Sequence, residues 1–312
     1  MKPKVVAIVG PTAVGKTKLS IEMAKKFNGE IISGDSMQVY KGMDIGTAKI
    51  TKEETEGIPH YMINIKEPKD SFTVADFKSL VTQYIDEILA RNKLPIIVGG
   101  SGLYIQSVMY DYQFAEIKRD EQFTKDLEDK IANHGIQPLY EKLQQVDPEQ
   151  AKKIHPNNHR RVIRALEVYE QTGLTMDEII KRKMNKKSPY DWVLIGLEME
   201  RKLLYERINY RVDLMLHNAL EEEVFHLYQQ GLENTQAMRA IGYKEFIPYF
   251  KGEYDLNRAI ELLKRNSRRY AKRQYTWFRN KMNVNWYSIT PEETKQQFQI
   301  ILKDLAGLLK DT

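Results

Sequence analysis

A short apolar strand that runs into a phosphate-binding loop restricts this chain to a small set of folds. Val5-Val6-Ala7-Ile8-Val9 leads into Gly10-Pro11-Thr12-Ala13-Val14-Gly15-Lys16-Thr17, a G-x-x-x-x-G-K-T loop, and an amphipathic segment follows. Glycines let backbone N–H groups turn inward around an anion, and the helix N-terminus behind them adds its positive dipole end. Lys16 supplies a point charge for phosphate oxygens, and the Thr17 hydroxyl a ligand for a magnesium ion (Mg2+). A plain glycine-rich turn is the bland alternative, and the strand–loop–helix context argues against it. The loop specifies a di- or triphosphate without saying which.

The first third alternates apolar strands with helix-like segments. Ile31 to Asp35 reads as a second strand with a polar end. Ser71 to Arg91 reads as a helix with Phe77, Val81, Ile85 and Ile88 at helical spacing, and Leu94 to Val98 as a buried strand closed by Gly99-Gly100-Ser101-Gly102. Such alternation predicts an α/β fold, a phosphate-loop NTPase-like parallel sheet covered by helices, with ligands gathered at the carboxyl ends of the strands. Residues 116–190 are charged, helical in pattern and interrupted by Gly135, Pro138, Pro148, Pro156 and Gly173. They predict a helical insertion between core segments 1–115 and 191–312. At 312 residues with 42% hydrophobic content the chain can bury a real core. It has no cysteine, which excludes disulfides, thiolate zinc sites and a cysteine nucleophile and fits a reducing cytoplasm. No apolar run approaches the roughly 18 residues of a membrane span, and the opening lacks a signal-peptide layout. The expectation is a cytoplasmic protein without membrane contact, a monomer by default.

Two features bear on chemistry. The strand at 94–98 ends in glycines where a nucleotide hydrolase commonly carries an acid to organise magnesium and water, so Asp35 is the leading acid, as general base or metal-shell ligand. Helix capping is its bland alternative. Gly99-Gly100-Ser101-Gly102 puts flexible backbone close to a ligand, with a plain turn as the alternative. The second feature is Leu263 to Tyr287. It holds Lys264, Arg265, Arg268, Arg269, Lys272, Arg273, Arg279 and Lys281, with Tyr270, Tyr275, Trp277, Phe278 and Trp286 between or beside them, and no acid occurs between Glu261 and Glu292. Arginine forks read phosphates and aromatic faces stack on unpaired bases, so this stretch predicts polynucleotide contact. A solvated helix face over core aromatics is the alternative. His159-Arg160-Arg161 with Arg164 is a second, weaker basic cluster.

Taken together the segments resemble the tRNA dimethylallyltransferase family. The resemblance is carried by the loop at 10–17, Asp35-Ser36-Met37-Gln38-Val39-Tyr40, Met43 to Lys49, Pro59-His60-Tyr61 and Gly99 to Tyr104. It continues in His155 to Asn158, Arg160 to Glu167, Arg207 with Arg211-Val212-Asp213, Ile241 to Glu245 and Lys272 to Arg279. These run in family order over nearly the whole chain.

The resemblance implies transfer of a dimethylallyl group from dimethylallyl diphosphate to N6 of the adenosine on the 3′ side of the anticodon, with release of pyrophosphate. It implies Asp35 as the base, Ser101 as an orienting hydroxyl where the family often has threonine, and an arginine of the Arg207/Arg211 pair as diphosphate clamp. The anticodon stem-loop is expected on Asp35, Ser36, Met37, Gln38, Ser101 and Thr124, on His159 to Ile163 with Arg160, Arg161 and Val162, on Arg239, Gly242, Tyr243 and Lys244, and on Lys272, Arg273, Gln274, Trp277 and Arg279. The insertion is expected to grip the stem. Val14 stands where the family commonly has serine, and Thr124 lies near where a basic residue facing RNA is expected. The alternatives are an isopentenyltransferase of free adenine nucleotides, which does not need the long basic region, a small-molecule kinase, and an RNA-binding protein with a vestigial loop.

Overall fold

The computed structural model describes residues 2–112, 120–183 and 188–310. In chain order, β1 (Lys4–Val9), α1 (Lys16–Lys26), β2 (Gly29–Ser33), β3 (His60–Tyr61), α2 (Val74–Ala90), β4 (Leu94–Gly99) and α3 (Gly102–Met109) come first. Then follow α4 (Glu121–His134), α5 (Gln137–Val146), α6 (Pro148–Lys153), α7 (His159–Thr172) and α8 (Met176–Lys183). The chain closes with β5 (Asp191–Glu198), α9 (Arg201–His217), α10 (Leu220–Gln229), α11 (Ile247–Phe250), α12 (Leu256–Lys281), β6 (Asn285–Ser288) and α13 (Thr294–Lys310). Two compact units result: Met1–Met109 with Pro189–Thr312, and Tyr110–Ser188.

The first unit is built on a six-stranded sheet in the order β3-β2-β4-β1-β5-β6, and every pairing is parallel. The strand that feeds the phosphate loop lies between β4 and β5, with Val9 level with Gly99 on one side and Gly196 on the other. Its residues alternate between two cores. Val5, Ala7 and Val9 pack with Phe77, Val81, Ile85 and Ile88 of α2. Val6 and Ile8 pack with Leu19 and Met23 of α1, Ile208 of α9 and Phe298 of α13. Both faces of the sheet are therefore covered, which is why the strands read as continuous apolar runs. The α/β expectation holds.

Two boundaries differ from the sequence reading. β2 ends at Ser33, so Asp35 stands two residues past the strand in the loop that follows it. α2 begins at Val74, because Thr73 caps it: the Thr73 hydroxyl accepts from the Asp76 N–H and the Asp76 carboxylate accepts from the Thr73 N–H, a reciprocal capping box.

The second unit has its own core of Leu127, Leu139, Leu143, Val162, Ile163 and Leu166. The expected insertion start at Glu116 lies outside the described residues. No helix among the described residues is long and apolar enough to cross a membrane.

Candidate active site and nucleic-acid interface

The loop at 10–17 takes its shape from backbone conformations that side chains disfavour. Gly10 has φ 140° and Gly15 φ 106°, both in the region glycine tolerates. A Cβ on Gly10 would lie 2.4 Å from the Leu197 carbonyl oxygen of β5, so the turn can hug the sheet only with glycine there. α1 starts directly at Lys16. The Lys16 Nζ donates to the Gly10 and Pro11 carbonyls at 3.0 and 2.7 Å, holding its charge across the loop. Thr17 is exposed on the first turn and borders a cavity of about 720 Å3.

Asp35, in the loop after β2 and one strand removed from β1, shares the cavity with Lys16 and interacts with its charge. Its Oδ1 accepts from the Met37 N–H at 2.8 Å, and its own N–H donates to the Ser33 hydroxyl at 3.3 Å. These bonds pin the carboxylate. Burial pushes the Asp35 carboxyl up, against the Met37 hydrogen bond and the charges of Lys16 and Arg211. Burial also pushes the Lys16 ammonium down to about 7, helped by Arg211 and opposed by Asp35. Arg211, on α9, is likewise lowered by burial and supported by Asp35. The cluster thus holds two basic groups against one carboxylate, an imbalance that a multiply charged anion would correct.

Of the arginine pair, Arg207 donates from Nε to the Ala13 carbonyl at 3.0 Å and so braces the loop, whereas Arg211 interacts with both Asp35 and Lys16. Ser101 is buried. Its hydroxyl accepts from the Ser36 N–H at 3.3 Å and lies 3.4 Å from the Ser36 hydroxyl, which joins the two strand-end loops.

The glycines at 99–102 read from sequence as backbone close to a ligand. Gly99 and Gly100 line the same cavity as Thr17, and all three glycines also pack against protein. A Cβ on Gly99 would be 2.3 Å from the Gly34 carbonyl oxygen, on Gly100 1.8 Å from the Gln274 Nε2, and on Gly102 2.2 Å from the Trp277 ring. They let the loop after β2 and the helix α12 close on the site.

α12 has two different faces. Inward, Gln274 is buried and its Oε1 accepts from the Thr12 N–H at 2.9 Å. Tyr270 hydrogen-bonds with Ser101 and Gln274, and burial pushes its phenol up to about 12. Tyr270 is the site residue that sequence reasoning passed over, since it stood there as one aromatic among several. Its spacing from Gln274 and Phe278, four residues apart each time, was the available signal. Outward, Arg269, Lys272 and Arg273 are exposed.

A second cavity of about 300 Å3 shares Thr12, Asp35, Thr47, Ala48, Arg211 and Tyr270 with the first. The first extends along the phosphate loop. The second extends toward Ser36, Met37, Arg239, Lys244 and Arg273. Asp35 borders both.

Several residues expected at RNA are buried or engaged within the protein. Tyr243 is fully buried and its hydroxyl donates to Glu223 at 2.6 Å; Gly242 is buried with φ 100° against Gly46. Val162 and Ile163 belong to the insertion core, while their neighbours His159, Arg160 and Arg161 are exposed. Thr124 is buried with no hydrogen-bond partner for its hydroxyl among the described residues. Gln274 serves the loop. Trp277 covers Gly102 with a buried indole N–H. Arg279 is committed to Glu198 and to the Tyr275 and Trp286 rings. Part of the basic stretch is also internal: Lys264 pairs with Asp213 at 2.5 Å and Arg268 donates to the Asn209 Oδ1 at 2.6 Å.

Comparison with known proteins agrees with this geometry. The family described as IPP transferase matches residues 38–281. A tRNA dimethylallyltransferase of Oceanobacillus iheyensis is 59% identical over 311 residues, covering 100% of this chain and 99% of that one. The structure of the full-length tRNA isopentenylpyrophosphate transferase of Bacillus halodurans superposes with a TM-score of 0.76 at 52% identity, covering 99% of this chain and 98% of that one. A eukaryotic dimethylallyltransferase acting on tRNA gives a TM-score of 0.81 at 32% identity, over 98% of this chain and 80% of that one. A phosphate loop facing a pinned carboxylate, the family match across most of the chain and full-length relatives at this identity lead to one assignment: the chain belongs to the IPP transferase family, the transferases that prenylate tRNA.

Proposed function

We propose that the chain transfers a dimethylallyl group from dimethylallyl diphosphate to the exocyclic N6 of the adenosine on the 3′ side of the anticodon, releasing pyrophosphate. The observation that carries this reading is the position of Asp35 on both cavities. One is lined by the phosphate loop, the other by Arg239, Lys244 and Arg273. A donor diphosphate in the first and an extruded base in the second would meet at the carboxylate.

The diphosphate lies along the loop N–H groups, with Lys16 and Arg211 at its charges and Arg207 bracing Ala13. The carbon–oxygen bond breaks and its electron pair leaves with pyrophosphate. The allylic carbon gains cation character, N6 attacks it, and Asp35 takes the N6 proton as the carbon–nitrogen bond forms. Tyr270, Gln274 and Ser101 hold the loops around these atoms.

Magnesium fits the donor set. Thr17 offers an exposed hydroxyl on the cavity and Asp35 a hard oxygen, and no cluster of three acids or histidines occurs among the described residues. That suits an ion held chiefly by phosphate and water oxygens. Thr17 would hold the ion, which when bound would supply charge neutralisation for the leaving pyrophosphate.

RNA lies on Lys272 and Arg273 of α12, on Arg239 and Lys244, and on His159 to Arg161 of the insertion, which takes the anticodon stem. The α7 start favours an anion: no acid lies in its first turn, where the exposed cations oppose the helix dipole and a phosphate would relieve them.

The test is prenyl transfer from labelled dimethylallyl diphosphate, with magnesium, to three acceptors. These are an anticodon stem-loop with adenosine beside the anticodon, the same loop with guanosine there, and free AMP. Label on the adenosine loop alone is expected. Label on AMP would replace this reading with the free-nucleotide enzyme.

A further inference from the structure

The Glu223 carboxylate of α10 accepts three consecutive backbone N–H groups from a loop far away in sequence. Oε2 accepts from Asp44 and Ile45, both at 2.8 Å, and Oε1 accepts from Gly46 at 3.0 Å. The buried Tyr243 hydroxyl donates to the same Oε1 at 2.6 Å. Successive N–H groups turned to one side form an anion nest, and here a side chain of the protein itself fills it. Gly46 is part of the arrangement, since a Cβ there would lie 2.5 Å from the Tyr243 ring.

The strap leads to the reacting groups by hydrogen bonds. The next two carbonyls of the loop, Thr47 and Ala48, accept from the Gln38 Nε2 at 3.3 and 3.4 Å. The Gln38 Oε1 accepts from the Ser33 hydroxyl at 2.8 Å, and that hydroxyl accepts from the Asp35 N–H at 3.3 Å. Thr47 and Ala48 also wall both cavities.

We infer that Glu223 is a positioning residue for prenyl transfer: it fixes the 44–48 loop, and through Gln38 and Ser33 the Asp35 carboxylate and the acceptor cavity. Glu223 touches no substrate. Charge-assisted bonds to three donors hold a segment more firmly than neutral ones; the loop's own bonds, Ala48 N–H to the Ile45 carbonyl and Lys49 N–H to the Asp44 carbonyl, shape its turn, and Glu223 ties that turn to α10. The phosphate loop at 10–17 lies outside this chain of bonds, so pyrophosphate binding on that loop does not depend on it, although Thr47 and Ala48 wall the donor cavity. The inference rests on the proposed reaction, and the experiment separates the two failures.

The experiment compares wild type, Glu223→Gln, Glu223→Ala and the control Glu222→Gln. It measures hydrogen exchange at Asp44 to Gly46, pyrophosphate affinity by calorimetry, and kcat and KM for the adenosine stem-loop at saturating dimethylallyl diphosphate. The expected result for Glu223→Ala is faster exchange at those amides, unchanged pyrophosphate affinity and a loss in kcat/KM for RNA on the order of a hundredfold, the scale of a misplaced catalytic group. Glu223→Gln keeps one acceptor oxygen and falls between. Faster exchange with kcat/KM unchanged in folded protein would overturn the inference, as would a parallel loss of pyrophosphate affinity. Where Glu223→Ala does not fold, Glu223→Gln with kcat and KM unchanged overturns it. A wild type that prenylates no stem-loop would instead overturn the reaction.

Discussion

Diphosphate binding should draw a proton from solution onto Lys16. The ordinary lysine value is 10.5, and burial, with Arg211 beside it, pushes the Lys16 ammonium in the free site down to about 7. A bound diphosphate supplies the missing negative charge and restores the protonated form. With a free-site value of about 7, Lys16 is about one-tenth protonated at pH 8, half at pH 7 and nine-tenths at pH 6. The expected uptake on binding is therefore about 0.9 proton at pH 8, about 0.5 at pH 7 and about 0.1 at pH 6. Well above pH 7 the affinity should weaken about tenfold per pH unit, or about 1.4 kcal/mol. The free protein follows the opposite sign. A lysine lowered on folding binds fewer protons folded than unfolded between about 7 and 10.5, so stability rises with pH through that window. The assay is calorimetric titration of dimethylallyl diphosphate in two buffers of different ionisation heat, at fixed magnesium. At pH 8 the diphosphate is itself ionised, so uptake belongs to the protein. Lys16→Met should abolish it, and Asp35→Asn should keep it, because removing the carboxylate only lowers the lysine further. Binding heats independent of buffer at pH 8 would refute the argument.

Lys272→Ala with Arg273→Ala should weaken stem-loop binding and flatten its salt dependence by about two counterions, with pyrophosphate affinity unchanged; filter binding across a salt series reads this. Gly99→Ala drives a methyl group into the Gly34 carbonyl, which belongs to the peptide bond that leads into Asp35. It should cost about 1–3 kcal/mol by denaturant unfolding and lower kcat. Gly307→Ala is its counterpart on the exposed face of α13, with open space around the new methyl. It should stabilise by about 0.5–1 kcal/mol with turnover unchanged.

The parallel sheet was legible because buried strands read as apolar runs and the phosphate loop marks which strand is central. Asp35 was legible because ligands collect at strand ends. Local pattern did not reveal what the third dimension puts against each residue. Gly99 and Gly100 line the cavity along the phosphate loop as the glycine run suggests, but the sequence does not show that Gly34, Gln274 and Trp277 pack on Gly99, Gly100 and Gly102. The basic stretch of α12 looks uniform, yet its charge divides between internal partners at Asp213, Asn209 and Glu198 and the exposed Arg269, Lys272 and Arg273. Likewise Gly242, Tyr243 and Lys244 are expected at RNA, but Gly242 and Tyr243, with Glu245 of the same motif, brace the interior. Gly242 lies against Gly46, Tyr243 supports Glu223, and Glu245 accepts from the Gly242 N–H at 2.9 Å. Between Arg239 and Lys244, those two cations are the exposed residues. A helical period indicates which residues share a face, and does not indicate what that face meets.

The most direct measurement is single-turnover prenyl transfer by Asp35→Asn to the adenosine stem-loop, with donor and RNA affinities measured on the same protein. The account predicts that both affinities stay within a few-fold of wild type, while the chemical step slows by about 10²–10⁴, the contribution of a positioned base. Transfer at the wild-type rate would contradict it and remove Asp35 from the reaction.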